Sequence, residues 1–165
     1  MVRLVTSDDE VVEVEKDVAK KCVLLKGQIE DNEDNEEDIP LPHVNKAILE
    51  KIIVYCKYIN ENALPVIPKP LPANKELSDV EVVGPWYADY INVEKKLLQD
   101  LMIATNFLDI PSLMDLAAAK YSTNIRGKTV EEIRAEFDIE KDDVDFTPEE
   151  EAQIKEENEI AMESF

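Results

Sequence analysis

The stretch "ATNFLDIPSLMDL", residues 104–116, decides the fold because it joins two apolar helices with almost no linker. An apolar run with helical spacing passes Leu101 and arrives at Asn106. It breaks around Asp109, and a second apolar stripe starts at once. Pro111 suits the first turn of the second helix, where a missing N–H costs nothing. The sequence therefore predicts two consecutive helices with an Asn–Phe pair at the corner between them.

Two further helices are predicted downstream by capping boxes, in which a Thr and a Glu three residues later satisfy each other's backbone N–H groups. The first box pairs Thr129 with Glu132, and the second pairs Thr147 with Glu150. The second helix has a thin apolar stripe and lies in a strongly acidic segment. Short helices are marginal in water without an apolar face to pack. We therefore expect the last helix to form fully only against a partner.

The N-terminal half mixes strand and helix signals. Residues 2–14 predict a hairpin around a polar turn, and the next segment predicts a short helix or helix pair ending near Gly27. "IPLPHV" suits an edge strand because proline cannot donate to a central ladder. Asn45 is placed to cap a broad apolar helix. The remaining segments are read as an acidic loop at 30–38 and a Pro-rich linker at 61–85.

Composition excludes several classes of function. The chain has 165 residues, 38 of them acidic and 18 basic, for a formal net charge of −20. That balance argues against nucleic acid and anionic membranes, which both attract Lys and Arg. No apolar run reaches the roughly 20 residues of a membrane span. We expect a cytoplasmic and nuclear protein whose two cysteines, Cys22 and Cys56, are buried free thiols.

The sequence contains few residues that are typical of catalytic, metal-binding or phosphate-binding sites. The single histidine, His43, has no Cys, Asp or Glu at ligand spacing, and three glycines cannot build a phosphate-binding loop. The carboxylates lie in solvated runs rather than in an apolar pocket. We therefore expect no enzyme activity, no metal and no cofactor, and we expect the function to reside in a binding surface.

Four blocks of the sequence resemble one family: "TSDDEVVEVEKDVAKKC", "IPLPHVNKAILEKIIVYC", "YINVEKKLLQDLMIATNFLDIPSLMDLAAAKYSTNIRGKTVEEIRAEFDI" and "DFTPEEEAQIKEENE". The chain is similar to the S-phase-kinase-associated adaptors of SCF-type cullin ubiquitin ligases. The resemblance implies an α+β fold, with a BTB/POZ core at 1–110 and an F-box-binding helical extension at 111–165. It implies an adaptor that bridges a cullin scaffold to F-box substrate receptors for ubiquitin-dependent degradation.

The resemblance also assigns surfaces. It places Asn106 and Phe107 against the N-terminal helices of a cullin. It makes Pro148 a candidate for hydroxylation, beside the alternative that this proline only starts a helix. A weak homodimer of the free protein is a further expectation. The F-box contact falls on apolar positions of the later helices, namely Leu101, Leu113, Leu116, Ile125, Ile133, Phe137, Ile139, Phe146, Ile154 and Ile160.

Two alternatives stay open at this stage. One is a relative of elongin C, which shares the BTB core but ends near residue 110 in this numbering. The other is an acidic chaperone for basic proteins, suggested by the net charge of −20. Partner binding at high ionic strength distinguishes a chaperone from an adaptor, because binding by charge alone is lost under that condition. Two positions and one segment depart from the family pattern: Gln99 and Ile160 stand where aromatics are frequent, and the linker is richer in proline.

Overall fold

The N-terminal hairpin forms as predicted in the computed structural model. The model describes residues 1–31, 38–69, 71, 77, 83–137, 139, 147, 149–150 and 152–155. Strand β1 (Val2–Thr6) pairs antiparallel with β2 (Val11–Val14), so that Val2 lies opposite Val14. Strand β3 (Ile39–Leu41) pairs parallel with β1. The order β2-β1-β3 places the proline-containing strand at an edge, as its sequence requires.

The hairpin turn also accepts a hydrogen bond from the first residue of the next long helix. The Thr6 hydroxyl donates to the Asp8 carboxylate, and this contact, with a bond from the Lys46 backbone N–H at 3.0 Å, lowers the pKa of Asp8. Asn45 caps helix α3 (Lys46–Glu61) by accepting from the Ile48 N–H at 2.9 Å. The predicted cap is therefore confirmed.

A helix pair links the hairpin to β3. It consists of α1 (Lys16–Ala19) and α2 (Val23–Asp31). The predicted stop near Gly27 is wrong, because α2 continues through this glycine to Asp31. Buried Leu25 and Ile29 lie on either side of Gly27, and their packing offsets the roughly 1 kcal/mol by which glycine disfavours a helix. The predicted acidic loop falls mostly on residues 32–37, which lie outside the described residues.

The remaining helices build the core. They are α4 (Pro85–Tyr90), α5 (Lys95–Leu108), α6 (Pro111–Ile125) and α7 (Val130–Glu136). Helix α5 packs against α2, α3 and α6, which makes it the central helix. The described residues between Asn62 and Gly84 include no α-helix or strand, as expected for the Pro-rich segment, yet Leu77 and Val83 are buried.

The chain falls into two compact units, residues 1–126 and 127–165. The first contains the sheet and helices α1 to α6, so it is a mixed α+β unit with a small three-stranded sheet. The second contains α7 and the helical residues 149–150 and 152–155. The predicted functional boundary after residue 110 stays a prediction.

The phenol of Tyr55 joins α3 to the start of α6, and its removal is our first prediction. Tyr55 is completely buried and donates to the Ser112 hydroxyl at 2.9 Å. Tyr55→Phe should lower the free energy of unfolding by about 1 kcal/mol, the usual net worth of such a bond. Urea unfolding of Tyr55→Phe, Ser112→Ala and the double variant measures it. If the double variant lost as much stability as the two single variants together, the hydrogen bond would be contradicted. Tyr58→Phe on the same helix is the control.

Candidate functional site

The corner after α5 is set by local backbone geometry. Helix α5 ends at Leu108, and Asp109 takes the left-handed conformation with φ 53° and ψ 71°. Aspartate is among the few residues that tolerate this region. The Asp109 and Ile110 N–H groups donate back to the carbonyls of Asn106 and Thr105. Helix α6 then starts at Pro111, so the predicted corner between two helices is confirmed.

The side chains at this corner form an exposed patch of the first unit. Asn106 is exposed and Phe107 is half-buried. The Phe107 ring meets the edge of the His43 ring, with centroids 5.1 Å apart. Ile103 lies one helical turn before this pair and is 61% exposed. We name His43, Ile103, Asn106 and Phe107 the corner surface.

Two members of the corner surface escaped the sequence interpretation. Ile103 lies three residues before Asn106 and four before Phe107, and this spacing places all three on one helix face. His43 was treated as an ordinary surface residue. Nothing in the linear sequence indicates its contact with Phe107, which depends on how the β3–α3 loop meets α5.

Three of the predicted F-box contacts lie in the core of the first unit. Leu101, Leu113 and Leu116 are each 0% exposed. In this conformation they belong to the core and offer a partner no area of their own. Ile125, at the end of α6, is half-buried and reaches solvent. The assignment of these four residues to F-box binding stays a prediction.

Another face of α6 borders a groove of about 490 Å³ in the first unit. Its lining includes Ala118 and Ser122 of α6, with Ile67 and Pro68 of the Pro-rich segment. A salt bridge between Lys69 and Asp115, 2.8 Å long, ties that segment to the helix. Residues 67–69 and 71 of the Pro-rich segment therefore pack against α6.

The second unit carries the remaining predicted contacts. Its helix α7 begins with the predicted capping box: the Thr129 hydroxyl accepts from the Glu132 N–H, and the Glu132 carboxylate accepts from the Thr129 N–H. The second of these bonds lowers the pKa of Glu132. Thr147 and Glu150 form the same arrangement, which likewise lowers the pKa of Glu150. Both predicted capping boxes are confirmed.

Apolar side chains of this second unit reach solvent. Ile139 is 54% exposed and Ile154 is 39% exposed, while Ile133 and Phe137 are half-buried. Val130 is also exposed, although the sequence interpretation did not single it out. The assignment of Ile133, Phe137, Ile139 and Ile154 to F-box binding stays a prediction. The predictions for Phe146, Pro148 and Ile160 lie outside the described residues.

The two cysteines form a buried pair rather than a reactive site. The Sγ atoms of Cys22 and Cys56 are 4.0 Å apart, and both residues are buried free thiols. Contact with Cys56 and burial raise the pKa of Cys22. Only the thiolate is nucleophilic, so this thiol is held in its unreactive form.

Metal-binding and membrane-spanning features were also sought. Within the described part of the chain, no three His, Cys, Asp or Glu side chains lie together in a way that could hold a metal ion. None of the described helices has the length and apolar character that crossing a membrane requires.

Comparison with known families matches both ends of the chain. Residues 1–61 match the Skp1 family, tetramerisation domain, and residues 111–161 match the Skp1 family, dimerisation domain. The chain is also similar to the S-phase kinase-associated protein 1 homolog of Tetrahymena thermophila. That similarity is 48% identity over 165 residues, covering 99% of this chain and 95% of the relative. The chain belongs to the Skp1 family.

Other relatives of the Skp1 family carry names that describe a complex. SCF ubiquitin ligase complex protein SKP1a of Dictyostelium discoideum is 39% identical, with 96% of this chain and 94% of the relative covered. E3 ubiquitin ligase complex SCF subunit sconC of Arthroderma benhamiae is 35% identical, with 98% and 95% covered. Membership of the Skp1 family confirms the resemblance and the BTB/POZ-like fold of the N-terminal part.

Proposed function

We propose that this chain is the adaptor subunit of an SCF-type ubiquitin ligase and that it catalyses no reaction itself. It holds an F-box substrate receptor on a cullin scaffold. The substrate and the ubiquitin-loaded partner then act on each other at high effective concentration. This speeds ubiquitin transfer without any catalytic group in the adaptor. Relatives named as SCF subunits that align with almost the whole chain support this role. We also propose that it acts in the cytoplasm and nucleus.

The observation that carries the proposal is the corner surface. Asn106 and Ile103 are exposed on α5, whereas Leu101 and Leu108 of the same helix are fully buried in the core. An exposed polar–apolar patch on a rigid helix is pre-organised for a protein partner, because little side-chain or backbone order has to be gained on binding. The corner surface is therefore assigned to the N-terminal helices of the cullin.

The F-box receptor is assigned to other surfaces. These are the end of α6 in the first unit and the exposed apolar side chains of the second unit. Exposed apolar side chains, in each unit taken by itself, suit the amphipathic helices of an F-box. Such binding rests on burial of apolar area and should persist in high salt, unlike binding by the chain's acidic charge. A weak homodimer of the free chain through the same apolar side chains is part of this proposal.

Substitution of Ile139 tests the F-box assignment. Because this side chain is 54% exposed, Ile139→Asp should leave the fold intact. It should weaken F-box binding about tenfold, since a carboxylate would be buried in an apolar contact. Isothermal titration with an F-box receptor measures the change. Val54→Asp, at a valine of α3 that is 52% exposed, is the control; equal effects of both variants would contradict the assignment.

A further inference from the structure

A cluster of positive charge interrupts this acidic chain at the α1–α2 turn. Residues 16–29 contain four lysines and a single acidic residue, in a protein of net charge −20. Val23, between the lysines, is 52% exposed. We name Lys16, Lys20, Lys21, Val23 and Lys26 the lysine-rich turn. A basic and partly apolar patch makes the local electrostatic potential less negative than on the rest of so acidic a chain.

The lysine-rich turn contacts the backbone two residues after Phe107 of the corner surface. The Val23 N–H donates to the Asp109 carbonyl oxygen at 3.1 Å, and Asp109 directly follows the last residue of α5. Lys20 and Lys26 are each three residues from Val23, so their Cα atoms lie within about 11 Å of it. Both lysines are at least partly exposed. A partner that covers Asn106 and Phe107 therefore approaches these ammonium groups.

No salt bridge in the described part of the chain pairs these lysines with a carboxylate. The salt bridges of the described residues are Arg3–Asp38, Lys46–Glu10 and Lys69–Asp115. The helices that carry the turn pack through Val18, Leu25 and Ile29 instead. The positive charge is thus available to a partner.

We propose that the lysine-rich turn extends the corner surface and binds acidic side chains of the cullin scaffold. This inference rests on the proposed function, because it adds an electrostatic contact to the same binding site. Opposite charges at the rim of an interface mainly accelerate association and suppress wrong partners, and their effect is screened by salt. The rest of this acidic chain should repel acidic side chains of the cullin. A local attraction at the lysine-rich turn would therefore favour one orientation of the cullin.

Charge reversal with a matched control tests the proposal. Lys20→Glu with Lys26→Glu is compared with Lys57→Glu plus Lys96→Glu, which changes the net charge equally. The control lysines are exposed. Lys96 lies about 15 Å along α5 from Asn106, and Lys57 lies about 16 Å along α3 from its start, at ~1.5 Å per residue. Thermal unfolding followed by circular dichroism checks that both double variants fold.

The readout is the association rate of the full chain with intact cullin at two salt concentrations. Reversal in the lysine-rich turn should slow association about tenfold at ~50 mM salt and less than twofold at ~500 mM. Dissociation and F-box receptor binding should change little, and the control variant should resemble the unmodified chain. The neutral pair Lys20→Gln with Lys26→Gln should give a smaller effect in the same direction.

Several results would overturn the inference. If both double variants slowed cullin association equally, the effect would come from net charge in general and not from the lysine-rich turn. Unchanged cullin association, together with lost binding to vesicles rich in phosphatidylserine, would assign the lysines to a membrane instead. Unchanged association alone, while Asn106→Asp with Phe107→Ala still abolishes cullin binding, would reject the inference and leave the proposed function standing. An unmodified chain that binds no cullin would overturn both.

Discussion

Replacing Asn106 with Asp and Phe107 with Ala is expected to weaken cullin binding about a hundredfold and to leave F-box binding unchanged. Central interface residues that pair an aromatic ring with a polar group typically contribute this much, about 2–3 kcal/mol. The substitution removes the ring that meets His43 and adds a negative charge to an exposed amide position. Both changes act on the corner surface, which the proposal assigns to the cullin alone.

Titration of the variant with each partner separately measures this prediction. Asn60→Asp, an exposed position on α3, is the charge-matched control and should bind both partners normally. Circular dichroism should show an intact fold, because Asn106 is exposed and Phe107 only half-buried. If cullin and F-box receptor were lost to the same degree from a folded variant, the two surfaces would not be separate.

The second large effect is expected from Leu101, which was predicted to contact the F-box but lies in the core. Leu101→Ala removes a side chain that is 0% exposed and leaves a cavity in the core. Substitutions of this kind cost about 2–5 kcal/mol. In a chain of this size that corresponds to a fall in Tm on the order of 10 °C.

The same variant separates a core role from a contact role. If Leu101 only supports the fold, the protein that remains folded at low temperature should bind the F-box receptor almost as well as the unmodified chain. A variant with nearly unchanged Tm and greatly weakened F-box binding would show the opposite, that this leucine contacts the receptor. Leu97→Ala, at a partly buried position of the same helix, is the control and should cost less stability.

Elements with complete local signals could be predicted from the sequence. The hairpin, the Asn45 cap and both capping boxes each depend on residues a few positions apart. Their hydrogen bonds form within the segment that encodes them. The corner at Asp109 belongs to this group, because Pro111 and a break in the apolar pattern mark it in the sequence.

Features that depend on tertiary packing could not be predicted. The continuation of α2 through Gly27 follows from burial of Leu25 and Ile29, which the local propensity of glycine does not reveal. Helical periodicity identified Leu113 and Leu116 as an apolar face, but it cannot say whether that face meets the protein's own core or a partner. The contact of His43 with Phe107 joins segments far apart in the chain. The candidate site was therefore found in part, at Asn106 and Phe107, without its neighbours His43 and Ile103.

The central claim is that this chain bridges two proteins that do not otherwise associate. Size-exclusion chromatography with light scattering, applied to intact cullin and an F-box receptor with and without the full chain, tests it most directly. The account predicts a complex containing one copy of each protein only when the chain is present, and its loss with Asn106→Asp plus Phe107→Ala. Association of cullin and receptor without the chain, or failure of the unmodified chain to join them, would contradict the account.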